Sequence, residues 1–273
     1  DGKMPASSGD GKMSASSGDG KMSTTSASSS GSGSSGSKTP SPTKAPASPI
    51  SEDKLIAPHG GSLVQLIPAD EDEREAIKDE ASALPSYTLT ERQLCDIEML
   101  LSGAFSPLDG FMDQKTYKSV IDSMRLPSGE LWPMPITLDV TDADLEFMTP
   151  GASVALRDKY YNLIAILDVP NGKNAIFKPQ LALESANVFG TIDSSHPAVH
   201  YLMNVAGNHL VSGKLRGYQL PPHYDYRELR RTPAETRALF ASLGQADVVA
   251  FQTRNPMHRA HIELTLRASA DVA

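Results

Sequence analysis

Apolar residues recur at helical spacing along much of the chain. Between residues 91 and 102, leucine and isoleucine side chains form one stripe, and Thr90 precedes them as a suitable N-cap. The acid-rich start of residues 69–83 suits the positive end of a helix dipole. On these grounds the sequence predicts helices over 69–83, 91–102, 113–124, 179–189, 197–206 and 233–243.

Shorter apolar stretches bounded by Pro, Gly and Asp predict β-strands. They lie at 63–67, 134–140, 152–157 and 161–169. Helices and strands follow one another in mixed order, without the regular strand–helix–strand alternation of a parallel sheet. Residues 59–213 are therefore predicted to form one mixed α+β domain with a curled sheet.

The pattern changes after residue 213. Asp247 leads into residues 248–251, a continuous apolar run of the kind that forms a buried parallel strand. A short polar turn and a helical pattern follow. Open α/β sheets bind nucleotides at strand–turn–helix units of this kind. Residues 214–273 therefore predict the beginning of a second, α/β domain.

The first 50 residues differ from the rest. A nine-residue unit beginning with DGKM occurs three times between residues 1 and 27, and a Ser-, Gly- and Pro-rich stretch follows. The segment contains one large aliphatic residue, Ile50, so it offers too little apolar surface to offset the entropy of ordering the chain. We expect residues 1–58 to form a disordered tail. Its serine content leaves open a plastid transit peptide.

Charge is distributed unevenly within a formal net charge of −8. Residues 51–213 carry 24 acidic and 11 basic side chains, whereas residues 214–273 carry six acidic and nine basic ones. A negative first domain disfavours binding to nucleic acid or to anionic membranes. No apolar run approaches the ~20 residues of a membrane-spanning helix, and no N-terminal apolar segment is typical of a secretory signal. We expect a cytoplasmic protein, or a plastid one if the tail is a transit peptide.

The chain contains a single cysteine, Cys95. An internal disulfide framework and a cysteine-rich zinc site are therefore excluded. Because Cys95 lies within the predicted helix over 91–102, we expect it to be a buried structural thiol.

Residues 252–261, with the sequence QTRNPMHRAH, combine side chains suited to an anion. Pro256 cannot lie inside a helix, so the helix is predicted to begin at or beside it, with Asn255 as N-cap. The free N–H groups and the dipole at such an end favour anions. His258 and His261 then lie on one face of the first turn.

Three further side chains in this run are donors. Arg254 supplies a planar fork that matches oxyanions, and Gln252 and Thr253 add neutral donors. A polyphosphate would satisfy all of them. Two alternatives remain open for His258 and His261: a metal pair, although no nearby carboxylate or thiol completes a site, and ordinary surface histidines.

Residues 250–264, AFQTRNPMHRAHIEL, resemble the signature of the ATP sulfurylase (sulfate adenylyltransferase) family, of the fungal or bacterial type. The family core is Q-x-R-N-P-x-H-x-x-H, a variant of the H-x-G-H nucleotidyltransferase motif with Ala260 in the glycine position. Other stretches resemble the N-terminal region of the family, so the resemblance covers about residues 59–273. They are LTERQLCDIEMLLSGAFSPLDGFM at 89–112, HPAV at 196–199 and HYDYRELRRTPAETRALF at 223–240.

The resemblance implies a β-rich PUA-like domain followed by the start of a Rossmann-like catalytic domain. The implied reaction joins ATP and sulfate to give adenosine 5′-phosphosulfate and pyrophosphate. Gln252 and Arg254 would bind sulfate. Gln252, Thr253, Arg254 and Asn255 would contact ATP, and Thr253, Arg254 and Asn255 would form the catalytic centre together with His258 and His261, which stabilise charge on the phosphates. Magnesium would arrive as MgATP, without a metal held by the protein itself.

The resemblance also has implications for where the chain ends within the catalytic domain and for how the longer protein assembles. Family members continue past this motif into a second phosphate-binding loop and the remaining strands, so we expect a chain that ends within the catalytic domain and is inactive by itself. In the longer protein we expect a homo-oligomer, with an adenylylsulfate kinase or kinase-like domain as a possible fusion.

Two other function classes stay open at the level of sequence. One is a different H-x-x-H adenylyltransferase, which would act on another acceptor. The other is a non-catalytic, RNA-binding role for the PUA-like domain, which the acidic charge of residues 51–213 disfavours.

Overall fold

The computed structural model describes residues 48–271. The predicted disordered tail falls largely on residues 1–47, which lie outside this range, as do residues 272 and 273. The prediction extends the tail to residue 58, which is too far, because Glu52–Lys54 form a 3-10 turn and Leu55 beside it is buried. Within the described range, no helix has both the length and the apolar character that a membrane crossing requires.

Eight short strands form two sheets in the described residues. The larger sheet has the order β1-β4-β5-β8-β2 and the smaller one the order β3-β7-β6. β1 and β4 are parallel, and every other pair is antiparallel. The strands are β1 Ser86–Thr88, β2 Gly110–Phe111, β3 Leu138–Val140, β4 Ser153–Arg157, β5 Leu163–Asp168, β6 Ile176–Phe177, β7 His209–Val211 and β8 Gly213–Gly217.

Seven α-helices occur in the same range. All six helices predicted from the apolar pattern are present, with ends that shift by up to a few residues. The seventh begins within the motif at 252–261. The helices are α1 Glu71–Ala83, α2 Glu91–Ser102, α3 Gln114–Ser123, α4 Leu181–Phe189, α5 Pro197–Asn204, α6 Pro233–Ser242 and α7 Arg259–Asp271.

Local capping explains the limits of α2. The Thr90 hydroxyl accepts the Gln93 N–H at 3.3 Å, and the Gln93 side-chain oxygen accepts the Thr90 N–H at 3.0 Å. Gly103 ends the helix in the left-handed conformation, with φ of 85°. Ile97 and Leu100 point into the core, whereas Cys95 is exposed. The expectation of a buried thiol is wrong, because Cys95 lies two residues before Ile97 and so falls on the other face of the helix.

Three of the four predicted strand regions, 134–140, 152–157 and 161–169, contain a strand. The fourth, at 63–67, does not. Residues 63–67 form isolated hydrogen bonds in place of a β-ladder. The Val64 N–H donates to the Ser106 hydroxyl at 2.9 Å, and the Leu66 carbonyl accepts the Gly217 N–H at 2.8 Å. The domain boundary expected between residues 213 and 214 falls inside β8, which pairs with β2 and β5. The first sheet therefore extends four residues beyond that boundary.

The core forms where the larger sheet meets α2. β5 is buried along nearly its whole length, because some of its side chains join the apolar cluster that contains α2 and the others pack with Ile77 and Ala81 of α1. Ile97 and Leu100 of α2 join the same apolar cluster as Leu156 of β4 and Leu167 of β5. Burial of such side chains is worth roughly 1.5–3 kcal/mol each. The mixed α/β class and the β-rich first domain expected from the sequence are confirmed.

A buried carboxylate links the smaller sheet to α2 and α5. Asp139 of β3 accepts the Gly207 N–H at 2.9 Å, the Arg92 guanidinium at 2.8 Å and the Gln93 amide at 3.2 Å. The Tyr201 hydroxyl lies 3.3 Å away, and the Arg92 guanidinium stacks over the Tyr201 ring at 4.7 Å. Burial favours the neutral acid, but the Gly207 N–H and Arg92 outweigh it and lower the pKa of Asp139.

A second buried carboxylate joins α3 to α4. The Tyr117 hydroxyl donates to Glu184 Oε2 at 2.7 Å and accepts the Gln180 N–H at 2.9 Å. Tyr117 and Glu184 are both buried. Burial is the largest influence on Glu184 and raises its pKa, although the hydrogen bond from Tyr117 opposes the shift.

The Asp139 network predicts a large stability loss on truncation. Asp139→Ala should lower the free energy of unfolding by on the order of 3 kcal/mol, since the Gly207 N–H and Arg92 lose their acceptor. Urea denaturation at pH 7 measures the change. Asp142→Ala is the matched control, because Asp142 follows β3 and its side chain is 75% exposed. Equal losses in both variants would contradict a special role for Asp139.

The same reasoning gives a pH dependence for Asp139. Its lowered pKa means that the stabilisation is present above the ordinary carboxyl pKa and is lost as the pH falls through the folded-state value.

Glu184 predicts the opposite pH dependence. Because its pKa is raised, the unfolded chain ionises first, and stability falls as the pH rises from the ordinary glutamate value through the folded-state value. Glu184→Gln keeps an acceptor for Tyr117 and removes the ionisation. The variant should therefore lose less stability than the wild type between pH 5 and pH 8 in thermal melts. Glu146→Gln, at an exposed position, should follow the wild-type profile; parallel profiles for all three proteins would refute the prediction.

Candidate active site

The motif predicted to bind an anion runs from the segment after α6 into the first turn of α7. α7 begins at Arg259, three residues after Pro256, so Pro256 is not its first residue and Asn255 is not its N-cap. The physical reason is a local turn. The Thr253 hydroxyl donates to the Asn255 carbonyl at 3.1 Å and accepts the Asn255 N–H at 3.1 Å. Side-chain bonds of this kind compete with the helix for backbone groups.

The two histidines of the motif lie side by side. His258 directly precedes α7, and its carbonyl accepts the Ile262 N–H at 3.1 Å. The His258 and His261 rings stack with centroids 3.8 Å apart. The ring of Phe251 lies 5.5 Å from that of His261. His261 Nδ1 is buried without a hydrogen-bond partner among the described residues, so this ring retains an unused polar atom.

The other donors of the motif are exposed. Gln252 and Arg254 have no side-chain hydrogen bond or ion pair within residues 48–271, and Thr253 and Asn255 bond each other. The same range contains no group of three or more His, Cys, Asp and Glu side chains placed to hold a metal ion. The structure thus brings the two imidazoles together and leaves the guanidinium and the amide free to meet a ligand.

The segment in front of the motif does not form the expected strand. Residues 248–251 form neither helix nor strand, and Val248, Val249 and Phe251 are 46%, 49% and 38% exposed. The prediction of a buried parallel strand is wrong for this chain. A parallel strand needs partners beside it, and the strands of the described range all belong to the two sheets that precede α6.

The exposed apolar surface continues along the next helix. Ile262, Leu264 and Leu266 of α7 are 48%, 55% and 61% exposed. Such a concentration of exposed apolar side chains is typical of a surface that packs against further polypeptide.

One large cavity among the described residues is separate from the motif. It has a volume of about 890 Å³ and lies between α2 and the start of α6. Its walls carry both signs of charge, from Glu98 and Glu235 and from Arg231 and Arg237. His223 Nε2 lies 2.6 Å from Glu98 Oε1 at its rim. The sequence does not predict this cleft, because its lining residues come from separate segments of the chain and share no motif.

Two family models match the chain. A PUA-like domain model matches residues 56–220, and an ATP-sulfurylase model matches residues 227–273. The first match contains both sheets, and the second contains α6, the motif and α7.

Curated relatives cover both regions. The chain is similar to a sulfate adenylyltransferase of Chaetomium globosum, with 50% identity over 216 residues, which is 78% of this chain and 37% of the relative. It is also similar to sulfate adenylyltransferases of Candida albicans (46% identity) and Saccharomyces cerevisiae (48%), each over 80% of this chain and 42% of the relative. The chain thus spans about two fifths of the length of these relatives.

A solved structure has a related fold. The hexameric APS kinase from Thiobacillus denitrificans superposes with a TM-score of 0.62 and 38% sequence identity, over 80% of this chain and 38% of that chain. The PUA-like match covers more than half of the sequence, and the motif at residues 252–261 falls within the ATP-sulfurylase match. The chain therefore belongs to the PUA-like domain family over residues 56–220 and is a member of the ATP-sulfurylase, or sulfate adenylyltransferase, family.

Proposed function

We propose that this chain is part of a sulfate adenylyltransferase, which converts ATP and sulfate into adenosine 5′-phosphosulfate and pyrophosphate. The observation that carries the proposal is the run Gln252–His261 inside the ATP-sulfurylase match, with its paired imidazoles and free guanidinium. The names and the identities of the curated relatives support it.

The reaction asks the protein mainly to hold anions. A sulfate oxygen attacks the α-phosphorus of ATP, the new S–O–P bridge forms, and the bond from the α-phosphorus to the β-phosphate oxygen breaks. Both substrates are multiply charged, so positioning and charge stabilisation supply most of the rate enhancement. The chain offers hydrogen-bond donors that can hold these anions. It need not supply a nucleophile, because the sulfate oxygen is the attacking group.

Six residues of the motif have a role in this proposal. Arg254 and Gln252 hold the sulfate, Arg254 through its planar fork. Gln252, Thr253, Arg254 and Asn255 contact ATP, and Thr253, Arg254 and Asn255 form the catalytic centre with the histidines. His258 and His261 donate to the phosphates as negative charge moves onto the leaving group.

Magnesium fits this scheme as part of the substrate. Mg²⁺ prefers hard oxygen ligands and keeps several waters, whereas the motif offers a guanidinium, amides, a hydroxyl and imidazoles. The donor set therefore suits the phosphates and not the metal. In MgATP the ion neutralises charge on the phosphate oxygens.

The activity belongs to a longer polypeptide in this proposal. The relatives are more than twice the length of their aligned parts, and residues 248–251 lack strand partners in this chain. The turn that carries Gln252–Asn255 therefore lacks the support that a neighbouring parallel strand would give it. We expect the chain alone to show no turnover.

An oligomer is part of the proposal for the longer protein. The related APS kinase from Thiobacillus denitrificans is hexameric. This supports a homo-oligomer, and it makes a fused adenylylsulfate kinase or kinase-like domain a reasonable expectation for the remaining sequence.

Replacement of Arg254 tests the sulfate site. In a chimera in which residues 58–273 replace the aligned region of the Candida albicans relative, Arg254→Ala should lower sulfate-dependent ATP–pyrophosphate exchange at least 10²-fold. Arg254→Lys should not restore it, because an ammonium lacks the bidentate fork. Arg259→Ala, at the exposed start of α7, is the control and should retain exchange.

The outcome also distinguishes the acceptor. Near-normal exchange by Arg254→Lys would rule out the proposed sulfate contact. Exchange driven by a carboxylate or a nucleotide acceptor in place of sulfate would identify a different adenylyltransferase.

Replacement of either histidine should lower turnover more than it weakens ATP binding. In the same chimera, His258→Asn and His261→Asn should each lower kcat by on the order of 10²-fold with a smaller change in ATP affinity, because their contacts strengthen in the transition state. Steady-state kinetics and ATP titrations separate the two quantities. Weaker ATP binding with unchanged kcat would contradict this role, and so would loss of activity to chelators that spare magnesium.

A further inference from the structure

We propose that residues 50–56, called the strap below, position α6 and thereby the motif that follows it. The strap precedes the PUA-like domain in the chain, and α6 is the first helix within the ATP-sulfurylase match. The docking of the strap is independent of the proposed function, whereas its effect on turnover rests on that function.

The strap contacts α6 near its C-terminal end. The Ile50 N–H donates to the Ala241 carbonyl at 2.9 Å. The Ala241 carbonyl also accepts the Gly244 N–H at 3.1 Å, so the Ile50 N–H occupies its second acceptor position. Ala241 is also the one buried residue of α6.

The strap also contacts the middle of α6. The Arg237 guanidinium donates through Nη1 to the Ile56 carbonyl at 2.9 Å. Between these two contacts, the 3-10 turn Glu52–Lys54 lies against α6. Leu55, directly after the turn, is 8% exposed, whereas the side chain of Ile56 is 85% exposed. The strap therefore presents one apolar side chain inward and its backbone polar groups to the helix.

The start of α6 has its own capping. The Thr232 hydroxyl accepts the Glu235 N–H at 3.3 Å, and the Glu235 carboxylate accepts the Thr232 N–H at 2.8 Å. This box fixes where the helix begins and contributes nothing to its attachment. The cleft of about 890 Å³ lies between this end of α6 and α2, so the start of α6 packs loosely there. A second cleft, of about 650 Å³, lies between the strap and the first half of α6. The strap therefore contacts the helix through its hydrogen bonds at Ala241 and Arg237.

The position of α6 matters because the motif follows it closely. Ten residues separate the end of α6 at Ser242 from Thr253, and residues 248–251 between them have no ladder of their own. The position of α6 therefore sets where this segment begins relative to the PUA-like domain. Leu55 and Arg237 are thus positioning residues, since neither belongs to the motif.

Amide hydrogen exchange followed by mass spectrometry tests the strap in the 273-residue chain. Leu55→Ala should speed exchange in residues 237–243 by about tenfold or more, while β5 exchanges at the wild-type rate. Ile56→Ala is the matched control, because it removes an exposed apolar side chain and keeps the carbonyl that Arg237 uses. Leu55→Met should restore most of the protection, since it refills the buried site.

Arg237 supplies a second, independent variant. Arg237→Ala should speed exchange in the same residues, and Arg237→Lys should recover part of the protection because an ammonium can still donate to the Ile56 carbonyl. The proposal is overturned if Leu55→Ala exchanges like Ile56→Ala. It is also overturned if β5 accelerates as much as α6, because the strap would then contribute only to global stability.

In the chimera, extended to include residues 48–57, Leu55→Ala should lower kcat several-fold and leave the melting temperature of the PUA-like domain unchanged. A chimera without any sulfate-dependent exchange would contradict the proposed function and leave the hydrogen-exchange result as it stands.

Discussion

The Asp139 carboxylate is the interaction on which the first domain depends. It lies in the middle of β3, an edge strand of the three-stranded sheet, and gathers donors from α2, from α5 and from the loop at Gly207. A buried charge is costly unless several donors surround it, so these elements have little freedom to move apart. The smaller sheet, which has only three short strands, is thereby fixed against a helix that also closes the main core.

The two parts of the chain differ in how completely they bury their apolar surface. The PUA-like domain covers β5 on both edges and fills the space below it with α2. The residues after α6 carry apolar side chains at strand and helix spacing, yet most of these side chains are exposed. The PUA-like domain therefore has its own core, whereas the residues after α6 do not. The strap contacts α6, the helix that connects these two parts of the chain.

The sequence predicts what local chemistry decides. The stripe in α2 and the Thr90–Gln93 capping box specify that helix almost to the residue. Strands of two or three residues, such as β2 and β6, escape prediction because they owe their existence to partners far along the chain. The run at 248–251 shows the converse: its composition predicts a buried strand, and without partners none forms.

The same limit applies to the candidate site. The spacing of His258 and His261 places the rings together, as expected, although the helix begins later than Pro256 suggests. The Thr253 hydroxyl delays it, and no propensity argument at Pro256 reveals that competition. The strap is equally invisible in the sequence, since a single Leu55 in a polar segment gives no periodic signal.

The unpaired segment at 248–251 also governs how the chain behaves in concentrated solution. An apolar stretch whose backbone groups are unpaired is a template for another strand, and natural proteins protect such stretches with charge, proline or a covering element. Here Asp247 is the charged residue next to the stretch, and Pro256 lies beyond it. Copies of this chain can therefore pair with one another through the same groups that a neighbouring strand would use, so its solubility depends on how these four residues are covered.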